Sequence, residues 1–330
     1  MKLLAIETSC DETAMAVIED GSKVLSNVVS SQIDIHKAFG GVVPEVASRI
    51  HIENVSLVLE EALHQAHCSL EDIEAIAFTQ GPGLIGSLHV GIMAAKTLAW
   101  YTQKPLVPIH HIAGHIYANR FVEELKYPLL ALVVSGGHTE LVYLKEEFDF
   151  EILGSTQDDA IGEAYDKVAR VMGLPYPGGP QIDRLAKEGR HEYVLPKVKT
   201  QKPLDFSFSG LKSAVLQTLQ RHSLETIHVA NLAYDFQEAA LGEILQKTKA
   251  ALDTHDVKHL VVGGGVAANS RLRELILALK TQYPNLTITI PPMWCCTDNA
   301  AMVGAIGEVA YRHGIRGTLD VSADPGLEYS

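Results

Sequence analysis

The sequence predicts an α/β chain of two lobes built on one duplicated plan, and three observations carry that expectation. Leu3-Leu-Ala-Ile-Glu-Thr-Ser-Cys-Asp-Glu-Thr-Ala-Met-Ala-Val17 can be laid without a gap over Leu129-Leu-Ala-Leu-Val-Val-Ser-Gly-Gly-His-Thr-Glu-Leu-Val-Tyr143, so that Leu3, Leu4, Ala5, Ser9 and Thr13 recur as Leu129, Leu130, Ala131, Ser135 and Thr139. Each copy then reads strand, tight polar turn, strand, turn, strand, ending near Ser31 and Gln157. Each is followed by helical periodicity and by a further apolar strand that runs into glycines.

The elements follow in order. In the first half, residues 44–67 have helical periodicity, and Ile73-Glu-Ala-Ile-Ala-Phe-Thr79 is a strand leading into Gln80-Gly-Pro-Gly83. The apolar, proline-punctuated run 105–109 precedes a helix that starts at a cluster of histidines. In the second half, helices are expected at 162–171, again from Asp183 after a Pro-Gly-Gly-Pro turn, and over 232–252. His259-Leu-Val-Val262 enters Gly263-Gly-Gly265, and another helix is expected at 268–280. A last helix, about 298–311 with Asp298 as its N-cap, crosses back onto the first lobe. The plan of both lobes is βββαβα, with the first lobe at 1–125 joined by about 297–330 and the second at 126–296.

Composition narrows the function. At 330 residues the chain can bury a large core, and 47% hydrophobic with 20% charged residues is ordinary for a globular protein. The apolar start at Leu3 is cut short by Glu7-Thr-Ser, which fits no signal peptide, and no run approaches the ~18 apolar residues of a membrane helix. The expected compartment is the cytoplasm, with no membrane partner. Four cysteines, Cys10, Cys68, Cys295 and Cys296, make no Cys-x-x-Cys pair, so reduced structural thiols are expected. A net charge of −13 argues against broad nucleic-acid affinity, leaving a local basic patch such as Lys197, Lys199 and Lys202, or a partner protein, for any nucleic-acid substrate.

Two kinds of motif carry chemistry. The strand-to-strand turns at Ser9 and Ser135 and the glycine-rich turns after residues 79 and 262 offer backbone N–H groups suited to phosphate oxygens, and four such turns in matching places point to a nucleotide held between the lobes. Ordinary tight turns also use glycine. His111 and His115 are four apart, so on a helix they share a face and can hold one metal. The same spacing suits histidines that cap or pack a helix start. Ile112 stands where a His-Glu-x-x-His zinc protease carries its general-base glutamate, which disfavours peptide hydrolysis.

The duplicated plan resembles the actin, Hsp70 and sugar-kinase superfamily, the ribonuclease H-like ASKHA fold. Within it, Glu7-Thr-Ser-Cys-Asp-Glu-Thr13, Pro44-Glu-Val-Ala-Ser-Arg49, Gly81-Pro-Gly-Leu-Ile-Gly-Ser87, His111-x-x-x-His115, Ser135-Gly-Gly-His-Thr139, Tyr176-Pro-Gly-Gly-Pro180, Asp205-Phe-Ser-Phe-Ser-Gly-Leu-Lys212, Gly263-Gly-Gly-Val-Ala-Ala-Asn269 and Asp298-Asn-Ala300 resemble, in order and over essentially the whole chain, the TsaD family of bacterial tRNA-modifying transferases. The resemblance implies transfer of L-threonylcarbamoyl from threonylcarbamoyl-AMP to N6 of adenosine 37 in tRNAs reading codons that begin with A. It also implies a truncated paralogue, TsaB, as heterodimer partner, an ATPase, TsaE, and one Fe²⁺ or Zn²⁺ per subunit.

Carried over residue by residue, the implied metal ligands are His111, His115 and Asp298, and the implied adenylate-binding positions are Val134, Ser135, Gly136, Gly137, His138, Asp166, Gly179, Asp183 and Asn269. Carboxylates such as Asp166 and Asp183 can accept both hydroxyls of a ribose; each alone is also an ordinary helix-surface aspartate. Asn269 suits a helix N-cap as well. Ser9 is expected in a phosphate turn. Asp11 and Glu12 are the candidates for the base that takes the amine proton, with organisation of their turn as the alternative role. Glu7 ends the first strand where superfamily kinases usually have an aspartate that helps hold Mg²⁺-nucleotide. A small-molecule kinase is the competing reading within the fold, and a bound adenine nucleotide fits either. The helix beginning at Pro44 is a candidate partner face for the paralogue, or an ordinary amphipathic helix.

Overall fold

The computed structural model describes residues 1–197, 199–221 and 227–329. In chain order the elements are β1 (Lys2–Glu7), β2 (Glu12–Glu19), β3 (Lys23–Ser31), α1 (Ile33–Lys37), α2 (Pro44–Gln65), β4 (Ala75–Gly81), α3 (Ile85–Thr102), β5 (Leu106–His110) and α4 (His111–Tyr117). They continue with β6 (Leu129–Val134), β7 (Thr139–Leu144), β8 (Phe150–Ser155), α5 (Ile161–Val171), α6 (Gly178–Ala186), α7 (Ser209–Arg221), α8 (Val229–Thr254), β9 (His259–Gly263), α9 (Ser270–Gln282), β10 (Thr287–Thr289) and α10 (Ala300–Arg312). They form two compact units, Met1–Glu124 with Pro291–Ser330, and Leu125–Ile290.

Each unit holds one five-stranded sheet, in the orders β3-β2-β1-β4-β5 and β8-β7-β6-β9-β10. The registers match as well. Leu3 pairs antiparallel with Ile18 and parallel with Ala75; Leu129 pairs antiparallel with Leu144 and parallel with His259. The duplicated segment therefore occupies the same place in both sheets, and the duplicated α/β fold expected from the sequence is the one found. A fifth strand, β5 or β10, follows the sixth element of each expected βββαβα plan.

β1 is central in its sheet and buried on both faces, which is why it reads as a continuous apolar run. Its alternate residues serve different layers. Leu4 and Ile6 join Phe78, Val58, Leu88 and Ile92 in the core beneath α2 and α3. Leu3 and Ala5 face α10, and each fully buried large aliphatic side chain here contributes about 1.5–3 kcal/mol. Helix α10 lies close on its sheet because it presents glycines: a Cβ at Gly304 would stand 2.4 Å from Ile18, and one at Gly307 2.7 Å from Ala77.

Several boundaries differ from expectation for physical reasons. Asn299, not Asp298, caps α10, its side chain accepting from the Met302 N–H at 3.1 Å. The Pro-Gly-Gly-Pro segment is not a turn ahead of a helix but the first turn of α6, so Asp183 lies well inside that helix rather than opening it. Proline is compatible with a first helical turn, and the Gly178 N–H is satisfied from outside the helix by Asp166 at 2.7 Å. Helix α9 begins at Ser270, after a short 3-10 turn, because Asn269 takes the cap. Among the described residues no helix is long and apolar enough to cross a membrane.

Candidate functional site

Helix α4 starts without a linker at the end of β5. His110, the last strand residue, is its N-cap, with Nδ1 accepting from the Ala113 N–H at 3.4 Å, and every residue of α4 is buried. His111 and His115 fall one turn apart on the same face, their rings 4.9 Å apart and nearly perpendicular. Gly114 between them packs against α10, where a Cβ would stand in ordinary contact with Met302 at 3.4 Å. That packing brings the residue before the α10 cap into reach: Asp298 Oδ1 lies 3.1 Å from His115 Nε2 and 3.5 Å from His111 Nε2.

The three residues fit a divalent metal. Their donor atoms all lie within 4.8 Å of one another. Donors about 2.0–2.2 Å from a tetrahedral ion stand roughly 3.3 Å apart, which the two nitrogen–oxygen separations bracket. Two imidazoles and a carboxylate leave coordination positions open, as a catalytic rather than a purely structural site requires. Electrostatics agree. Burial alone would lower the His111 pKa, but Glu7 and Asp298 outweigh it and raise it to about 9, so the surroundings are set to hold positive charge. Buried Glu7 is nonetheless held below the usual carboxylate range by the His111 charge and hydrogen bond.

The β1–β2 turn beside this cluster is pinned from several sides. The Ser9 N–H donates to Glu7, its hydroxyl lies 3.2 Å from His111 Nδ1, and its carbonyl accepts from Leu84 at 2.7 Å. Ser9 is thus part of the packing around His111 and only 2% exposed. The Cys10 carbonyl accepts from Ser87 Oγ and His51 Nε2, each at 3.0 Å. Asp11 is buried, and Glu12 is half-buried with a 3.2 Å hydrogen bond from Ser31. Burial first, then the charges of Asp298 and Asp11, push the Glu12 carboxyl well above its ordinary range. Burial and the same carboxylates raise the Cys10 thiol, and no disulfide joins any of the four cysteines among the described residues.

In the second unit the expected adenylate residues also come together. The Ser135–His138 turn closes on itself, Ser135 N–H donating to the His138 carbonyl at 2.8 Å and His138 N–H to Ser135 Oγ at 3.0 Å. Gly136 and Gly137 stand exposed at its tip, with nothing within 4 Å of where a Cβ would be. Val134, which leads into the turn, is fully buried. The triple-glycine turn packs on the same place, a Cβ on Gly264 meeting the Val134 carbonyl at 2.3 Å. Asp166 accepts from Gly178 at the start of α6, and burial raises its pKa against those hydrogen bonds. Gly179 beside it is open. Asp183 accepts from Ser270 Oγ at 2.9 Å, and Asn269 caps α9 while donating to Gln237 at 2.9 Å. Helix caps therefore tie α5, α6 and α9 into one cluster.

Two contributors had no role assigned from the sequence. Glu7 is fully buried against His111; the sequence marked it as a charge at the end of an apolar strand, in the place of a kinase aspartate, without pointing to a histidine. Thr79 Oγ1 donates to Glu7 Oε2 at 2.6 Å and gives no sequence signal of its own.

Residues 23–305 match the family model described as TsaD, tRNA N6-adenosine threonylcarbamoyltransferase. The chain belongs to the TsaD family. It is 54% identical over 329 residues to the tRNA N6-adenosine threonylcarbamoyltransferase of Bacillus thuringiensis (strain Al Hakam), covering 99% of this chain and 96% of that one. The like-named protein of Bacillus subtilis (strain 168) is also 54% identical, over 331 residues with the same coverage. Among solved structures, T. kodakarensis HypF has a TM-score of 0.62 at 15% identity, covering 95% of this chain and 48% of that one. Component A of the Acidaminococcus fermentans (R)-2-hydroxyglutaryl-CoA dehydratase has a TM-score of 0.55 at 15% identity, covering 94% and 97%. These distant likenesses bear on the fold alone, while TsaD membership displaces the kinase reading.

Proposed function

We propose that this chain transfers an L-threonylcarbamoyl group from threonylcarbamoyl-AMP to N6 of adenosine 37 in tRNAs reading codons that begin with A, releasing AMP. The observation that carries the reading is the His111, His115 and Asp298 cluster in a chain that matches the TsaD family over most of its length. The cytoplasm is the compartment this substrate implies.

Threonylcarbamoyl-AMP is a mixed anhydride. The N6 amine attacks the carbamoyl carbon, the bond from that carbon to the phosphate oxygen breaks, AMP leaves with the electron pair, and one proton leaves the nitrogen. In this reading unit 2 holds the leaving group. The Ser135–His138 turn and the triple-glycine turn offer N–H groups to the phosphate, and the open Cβ positions at Gly136, Gly137 and Gly179 admit close approach. Asp166 and Asp183, anchored at the starts of α6 and α9, accept ribose hydroxyls with the lone pairs that their bonds to Gly178 and Ser270 leave, and Asn269 is oriented by its cap.

Unit 1 supplies the acyl chemistry. His111, His115 and Asp298 would hold Fe²⁺ or Zn²⁺, a donor set that suits both. Such an ion supplies Lewis-acid polarisation of carbamoyl or phosphate oxygens. Glu12, with Asp11 beside it, accepts the amine proton, from a turn whose position is fixed by the hydrogen bond from Ser31. Fixed donors at developing negative charge contribute roughly 2.7–4 kcal/mol each in comparable sites. An acidic chain of net charge −13 needs help to hold tRNA, which favours a heterodimer with the TsaB paralogue, assisted by the TsaE ATPase.

The test combines purified chain, both partners, synthetic threonylcarbamoyl-AMP and unmodified tRNA, without ATP. Threonylcarbamoyladenosine detected by mass spectrometry of the digested tRNA is expected. No product, while a relative from Bacillus subtilis works in parallel, overturns the reading. Near-normal single-turnover transfer by both Asp11→Ala and Glu12→Ala would remove these two as the proton acceptor.

A further inference from the structure

The metal cluster rests on a carboxylate that the proposed mechanism does not use. Glu7 is fully buried, and such a group is costly unless its oxygens are satisfied. Here they are: Oε1 accepts from the Ser9 N–H, and Oε2 accepts from Thr79 Oγ1 at 2.6 Å and lies 3.0 Å from His111 Nδ1. The other nitrogen of that ring, Nε2, is the one that looks toward Asp298. His115 has no such support, and its Nδ1 finds no hydrogen-bond partner among the described residues.

We propose that Glu7, itself fixed by Thr79, is the positioning residue that sets the tautomer and orientation of His111 for metal binding. The proposal rests on the metal site described above. A carboxylate can only accept, so it draws the single N–H of a neutral imidazole onto Nδ1 and leaves the Nε2 lone pair free for a metal. Outer carboxylates of this kind orient ligating histidines and typically change metal affinity 10–100-fold. The position also gives Glu7 a role distinct from that of a kinase aspartate, because its side chain is closed off by three protein partners.

Glu7→Gln makes the contrast sharp. The amide oxygen can still accept from Ser9, which turns the amide nitrogen toward His111. That nitrogen donates to Nδ1 and drives the ring proton onto Nε2, where it blocks a metal. Thr79→Val removes the hydroxyl that holds Oε2, and Thr79→Ser keeps it.

The experiment uses the full-length chain stripped of metal with a chelator, with Zn²⁺ alone as probe. Affinity is read by competition with a chromophoric chelator, and stability by thermal unfolding with and without Zn²⁺. Wild type binds one Zn²⁺ that raises Tm. Glu7→Gln is expected to bind 10–100-fold more weakly while its metal-free Tm stays close to wild type. Thr79→Val is expected to weaken binding several-fold and Thr79→Ser to restore it. Wild-type affinity in Glu7→Gln, or in Thr79→Val should Glu7→Gln fail to fold, overturns the proposal and leaves the metal site standing. A drop in metal-free Tm with unchanged affinity makes Glu7 merely structural and also overturns it. No Zn²⁺ binding by wild type overturns the metal site and the proposal together.

Discussion

His115 Nε2 and Asp298 Oδ1 stand 3.1 Å apart although 183 positions separate them in the chain. The contact joins a short buried helix to the residue before the cap of the last helix, and it brings a carboxylate to the two histidines. Asp298→Asn keeps the shape and removes the charge. Its metal affinity is expected to fall about tenfold or more, read as metal content after purification or as Zn²⁺ competition. Unchanged content would exclude Asp298 as a ligand.

Two glycines of unit 2 should separate folding from binding. Gly264 has φ +95 and a Cβ there would stand 2.3 Å from the Val134 carbonyl, so Gly264→Ala is expected to cost at least about 1–3 kcal/mol in denaturant unfolding. Gly136 has open space around its Cβ position. Gly136→Ala should leave stability within about 0.5 kcal/mol while weakening binding of a stable threonylcarbamoyl-AMP analogue measured by calorimetry. Equal effects on stability would refute the distinction.

The His51 ring is fully buried between Thr13 Oγ1 at 2.8 Å and the Cys10 carbonyl, and burial lowers its pKa below 6.5 despite nearby Glu7 and Asp11. The folded state therefore prefers the neutral ring. Stability from this group is complete above the unfolded value of 6.5 and is lost as pH falls from there through the depressed folded value. The loss amounts to about 1.4 kcal/mol per unit of difference. Urea unfolding at pH 7.0 and about 5.5 should show a steeper decline for wild type than for His51→Gln; parallel declines would remove His51 as the source.

His110 has a structural role that involves the end of the chain. Its Nε2 lies 3.0 Å from the Leu327 carbonyl, and its ring stacks on Tyr329 at 4.3 Å, while Nδ1 caps α4. Tyr329→Ala is expected to cost about 0.5–1.5 kcal/mol and to speed amide exchange over 110–117. Exchange unchanged in α4 would show that the stack does not steady that helix.

The local parts of this architecture were readable because they repeat every two or three to four residues. β1, β6 and the helices from 44 and 232 follow directly from that periodicity. The duplication located the second sheet through pairs such as Leu3 and Leu129, whose registers coincide. Sequence pattern misleads where two neighbours suit the same position. Asp298 and Asn299 are both good caps, and only packing decides for Asn299. It misleads again at Asp183, because Gly178 takes its partner from Asp166 on another helix. The family resemblance supplied Asp298 as a metal-ligand candidate. Glu7 was visible as an odd charge, but its partner is 104 positions away, so the role could be seen only in three dimensions.

Unit 2 is one continuous run, whereas unit 1 is made from the two ends of the chain. Synthesis proceeds from the N-terminus, so the ribosome delivers all of Leu125–Ile290 before any of Pro291–Ser330. Until α10 emerges, Ile18 and Ala77 lack the helix that covers them, and both histidines wait for their carboxylate. A nascent chain released before Asp298 carries a complete unit 2 but only two of the three residues proposed to hold the metal. Under the proposed function, the order in which the residues are made withholds the chemistry from unfinished copies.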